Sequence, residues 1–117
     1  MKLSIANLKK VGAFTGAPVE KEISWKTNKG QTQTATVYVR PLSYDSAISD
    51  IESARHKGDP IAGRIAACIC DENGKKVFTP EDITGEADPE RGPLDGNLTM
   101  ALLTVIGEVN GLGKPEN

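Results

Sequence analysis

Between Val19 and Arg40 apolar and polar residues alternate with a period of two, whereas in the rest of the chain apolar residues recur at three- and four-residue spacing. The first alternating run places Val19, Ile23 and Trp25 on one face, and the second does the same for Ala35, Val37 and Val39. Asn28-Lys29-Gly30 between them reads as a three-residue hairpin loop with Gly30 in the left-handed conformation. That loop sets Trp25 opposite Gln33, Ile23 opposite Ala35 and Val19 opposite Val39, so the two apolar faces coincide. A one-residue slip would turn one strand's apolar face to solvent, so loop and pattern specify the same register. The reverse face, with Glu20, Glu22, Lys26, Thr34, Thr36, Tyr38 and Arg40, is polar.

The helical spacings are punctuated by caps and breakers. Leu3, Leu8 and Val11 fall near one side of a short N-terminal helix, with Ser4 as its cap and Gly12 as its stop. Pro41 ends the second strand, and Ser43 caps a helix carrying Tyr44, Ala47, Ile48, Ile51 and Ala54, with His56 and Lys57 in its last turn before Gly58. Asp59-Pro60 opens another helix, along which Ile61, Ile65, Cys68 and Ile69 repeat, and Asp71 to Gly74 reads as its C-terminal turn, with Asn73 or Gly74 left-handed. Lys75 to Thr79 reads as extended, and Thr79-Pro80-Glu81-Asp82 caps a brief helix that must end at Gly85. Gly85 to Pro93 is the expected exposed loop. A final helix over about Leu94 to Asn110 carries a broad stripe of Leu94, Leu98, Ala101, Leu102, Val105, Ile106 and Val109, with Met100 and Leu103 off it. The expected fold is α+β and mainly α: one β-hairpin in the N-terminal half packed against about four to five helices. Residues 1–111 form a single domain and 112–117 a flexible tail.

Composition narrows what such a domain does. A net charge of −2 with no basic cluster gives no electrostatic case for nucleic acid, and no apolar run is long enough to span a membrane. The N-terminus lacks the continuous apolar stretch and small-residue cleavage site of a signal peptide, which points to the cytoplasm. Cys68 and Cys70, two apart on a helix, point in different directions and read as small buried thiols, not a disulfide. Asp71-Glu72-Asn73-Gly74 resembles part of a calcium loop, but Lys76 and Asp82 stand where that loop needs Gly and Glu. Glu81 with Asp82, or Cys68 with His56, would be the start of a catalytic site, yet no phosphate loop, metal cluster or nucleophile elbow accompanies them. No catalytic residue, metal or cofactor is expected. Asp59, Asp71, Gly74 and Thr79 read as structural caps and turns.

The opening MKLSIANLKKVGAFTGAPVEKEI, the strand end and helix start TVYVRPLSYDSA, the segment RIAACICDENGKKVFTPEDI and the helix end IGEVNG together resemble the tail assembly chaperones of long-tailed bacteriophages with flexible, lambda-like tails. Asp71, Gly74 and Phe78 match that family's turn of Asp, a polar residue, Gly and an aromatic. The resemblance implies a non-enzymatic protein that self-associates. It also implies binding to the tape measure protein, which it keeps soluble in the host cytoplasm, help in recruiting tail tube subunits, and absence from the finished virion. A frameshifted longer form is implied as a further partner, its slippage site near Gly113-Lys114. The alternative is a structural virion component, a tail tube or head-tail joining protein. Trp25, Tyr38, Met100 and Leu103 are the expected partner-binding or oligomer contacts.

Overall fold

The computed structural model describes residues 1–14, 17–42 and 59–110. Helix α1 (Ile5–Lys10) precedes a hairpin of β1 (Val19–Lys26) and β2 (Thr32–Val39). Helix α2 (Pro60–Cys68) runs directly into a two-residue strand, β3 (Ile69–Cys70), and is followed by the short α3 (Pro80–Thr84) and the long α4 (Gly96–Asn110). The sheet is antiparallel throughout, in the order β1-β2-β3.

The hairpin forms as its pattern dictates. Thr27 and Gln31 close the loop through a 2.8 Å amide-to-carbonyl bond, Gly30 has φ of 79°, and Val19, Ile23 and Trp25 pair with Val39, Ala35 and Gln33. Its apolar face meets α4, which is pinned at both ends. The Asn97 side-chain amide donates to the Lys26 carbonyl at 2.9 Å, and the Leu42 amide donates to Asn110 Oδ1 at 2.6 Å. Since Lys26 ends β1 and Leu42 lies just beyond β2, α4 runs antiparallel to β1. Its start is fixed by Asp95, whose carboxylate accepts the Leu98 amide at 2.9 Å.

The core lies between this sheet face and helices α2 and α4. Ile65, Val39, Cys68, Leu102 and Ile106 are its largest fully buried side chains, joined by Ile23, Ala62, Ile69, Ile83 and Val105. Burying an aliphatic side chain of that size contributes about 1.5–3 kcal/mol. Asp59 caps α2 by accepting the Ile61 and Ala62 amides, with Pro60 in the first turn where no amide is needed. Thr79 and Asp82 form a reciprocal capping box on α3, at 3.2 Å and 2.9 Å, and Gly85 ends that helix with φ of 93°. A Cβ at Gly85 would lie 2.7 Å from the Pro93 nitrogen, so only glycine lets the following loop fold back this closely.

The mainly helical expectation is corrected by the third strand and by the brevity of the helices. Four helices stand among the described residues, but α1 has six residues and α3 five. The helical spacing that reached Ile69 and beyond is overridden at Cys68. There the Cys68 carbonyl accepts the Arg40 amide at 2.7 Å, and Ile69 and Cys70 pair with Val39 and Tyr38. Asp71 to Gly74 therefore turns a strand, not a helix end: the Asp71 carboxylate accepts the Asn73 and Lys75 amides at 2.9 Å each, Gly74 has φ of 83°, and Cys70 bridges to Lys76. The helix expected from Ser43 to Gly58, with His56, and the tail 112–117 lie outside the described residues.

Candidate binding surface

Where the sheet's apolar face emerges past the first turns of α4, the core is left open. Trp25, Ala35 and Val37 from the hairpin, Phe78 from the segment after β3, and Leu98 and Leu102 from α4 surround an apolar cleft of about 210 Å³. Val77 stands on its rim, 53% exposed. Trp25, Phe78 and Leu98 are only half-buried although each packs against the core. The cleft offers shape and apolar surface, and two large apolar side chains would fill it.

The four residues expected as contacts do not converge. Trp25 lines the cleft, and Leu103 is half-buried against the core. Met100 is 62% exposed on α4. Tyr38 is half-buried on the opposite face of the sheet, where the Glu20 carboxylate first, then desolvation and the Glu72 carboxylate, raise its phenol above the ordinary value. The remaining cleft residues come from three separate stretches of chain, and helical spacing marks Leu98 and Leu102 only as core. Phe78 was marked by the Asp-to-aromatic turn, but nothing local says that this turn carries it over the sheet.

Two further surfaces stand apart from the cleft. The N-terminal segment carries Leu3, Ile5, Val11 and Phe14 well exposed, and α1 buries none of its residues. A groove of about 810 Å³ runs between the starts of α2 and α3, lined by Asp59, Pro60, Ile61, Pro80, Glu81 and Glu86 among others.

The polar side chains sit in structural roles. Cys68 and Cys70 are buried, unbridged thiols; burial chiefly pushes Cys70 up, against the lowering influence of Arg40 and together with the raising influence of Asp71, and its Sγ lies 3.6 Å from the Tyr38 carbonyl. A thiol held in that form is a poor nucleophile. Arg40 donates to the Gly74 carbonyl at 2.9 Å and so braces the β3 turn. Asp82 caps α3 and meets Arg91 at 3.0 Å, tying the largely exposed loop over residues 86–93 to that helix. Among the described residues no three His, Cys, Asp or Glu side chains gather to hold a metal ion, and no helix is long and apolar enough to cross a membrane.

No curated protein and no solved structure matches the chain. One family model does, that of the phage tail assembly chaperones, and it matches residues 6–110, from α1 through the end of α4. With the hairpin, β3, the cleft and both grooved helices inside the match, the chain belongs to the phage tail assembly chaperone family.

Proposed function

We propose that this chaperone binds the tape measure protein in the host cytoplasm, keeps it soluble, helps recruit tail tube subunits to it, and self-associates in doing so. The observation that supports this reading is the open apolar cleft between the hairpin, Phe78 and the first turns of α4. A long helical chain rich in apolar residues presents side chains at three- and four-residue spacing, which is what a cleft of this size accepts. Two buried side chains contribute about 1.5–3 kcal/mol each before the costs of ordering. A single site of that kind is weak and readily displaced. Several copies acting together along one chain bind firmly while each contact stays exchangeable, as recruitment of tube subunits requires.

Co-expression tests the reading. The tape measure protein is expected in the soluble fraction with the wild-type chaperone and in the pellet with the Val77→Asp variant. That variant places a charge on the cleft rim at a position 53% exposed. A tape measure protein equally soluble without any chaperone defeats the proposal.

A further inference from the structure

Helix α1 is locally well made and globally unused. Ser4 caps it by accepting the Asn7 amide at 3.1 Å, the Asn7 side chain donates to the Lys2 carbonyl at 2.7 Å, and the Ala13 amide closes the C-terminal end on the Leu8 carbonyl at 3.0 Å. Yet it buries none of its residues, and Leu3, Ile5, Val11 and Phe14 face solvent on and beside it. A helix of this length is marginal in water, where fewer than about 12–15 residues rarely hold a helix without packing. Its sequence is therefore written for a surface that the described residues of its own chain do not supply.

Charge says which surface. Residues 1–18 contain Lys2, Lys9 and Lys10 and no carboxylate side chain. Among the described residues the groove between the starts of α2 and α3 is lined by Asp59, Glu81 and Glu86 with no Lys or Arg, beside the apolar Pro60, Pro80 and Ile61, the last 51% exposed. Its volume of about 810 Å³ suits a short helix face. Arm and groove are complementary in both respects: lysines flanking an apolar stripe on one, carboxylates beside apolar residues on the other.

We infer that the arm of one copy, residues 1–14, docks into the acidic groove between α2 and α3 of a second copy. The occupant is another copy of this chain because every copy carries both halves of the contact and, among the described residues, nothing covers either. The contact is heterologous, so it propagates from copy to copy into a ring or filament unless two copies exchange arms reciprocally. It deepens the self-association part of the reading above and is independent of the cleft that is proposed to take the tape measure protein.

Charge reversal on both sides tests it in the full chain. Sedimentation velocity is expected to show wild-type oligomers, loosened by added salt, and association weakened roughly tenfold or more by Lys9→Glu/Lys10→Glu and by Glu81→Lys/Glu86→Lys. Mixing the two variants restores association, since each reversed surface finds a complementary one on the other chain. Thermal stability of the arm variant equal to that of the wild type, compared at a concentration low enough for both to be monomeric, shows that only the contact has been touched. Variants that associate as the wild type does, or a mixture that fails to recover, overturn the inference while leaving self-association standing. A wild-type chain that is monomeric overturns both, and a lowered melting temperature of the arm variant in that case assigns the arm to its own chain's groove. Loss of tape measure solubilisation by Val77→Asp is read separately and bears on the cleft alone.

Discussion

Helices α1 and α4 have the same kind of sequence, apolar residues at helical spacing behind an N-terminal cap, and opposite fates. In α4 the stripe of Leu102, Val105 and Ile106 is buried against the hairpin and α2. In the N-terminal arm Leu3, Ile5 and Val11 are exposed and nothing in α1 is buried. The difference lies outside both helices. Asn97 and Asn110 anchor α4 to Lys26 and Leu42, whereas among the described residues the polar bonds of α1 fall within residues 2–13. An amphipathic pattern states that a face exists to be covered. It does not state what covers it.

The largest expected effect breaks that comparison outright. Leu102→Ala removes a fully buried side chain from the core and is expected to cost about 2–5 kcal/mol in urea unfolding. Leu3→Ala, the same chemical change at a position 81% exposed, is expected to stay within about 0.5 kcal/mol of wild type under monomeric conditions. Equal costs would mean that the arm is part of the core. Glycine substitutions sharpen the contrast at smaller scale. Gly85→Ala meets both a left-handed backbone and the Pro93 nitrogen at 2.7 Å, and an expected loss of about 1–3 kcal/mol follows from strain that the loop cannot relieve locally. Gly12→Ala has a comparable φ of 71° but open space around it, so its cost is confined to the end of α1. Its midpoint of global unfolding is expected to match wild type while the arm loses helix by hydrogen exchange.

How much could be read from the sequence follows the same division between local and distant causes. The hairpin register was legible because Gly30 and the two-residue period act within the segment they specify. β3 was not, because Ile69 and Cys70 continue an apolar helical run and only pairing with Tyr38 and Val39, some thirty residues earlier, makes them a strand. Of the four residues read as contacts, Trp25 alone lines the cleft. Phe78 and Leu98 reach it from different parts of the chain, and Met100 and Leu103, read as off-stripe partners, do not line it. Tyr38 was correctly placed on the polar face, which is why it stands away from the cleft.

The smallest expected effect concerns the α3 cap, a local device like the Ser4 cap of α1 but one coupled to the core through Ile83. The Asp82 carboxyl is held below its ordinary 3.8, first by the Thr79 amide and then by Arg91, with burial opposing. A folded-state value lower than the unfolded one means that the ionised form is favoured by folding. That stabilisation is complete above the unfolded value and is lost as pH falls from near 3.8 through the lower folded value. Wild type is therefore expected to lose more stability than Asp82→Asn as pH falls from about 5 to 2. The amide side chain keeps an acceptor for the Thr79 amide but has no charge to titrate. Because Arg91 contributes on the exposed surface, added salt is expected to narrow the gap without closing it. Parallel pH profiles for the two proteins would show that the cap does not report on the core, and α3 would then belong with α1 as a locally made helix and not with α4.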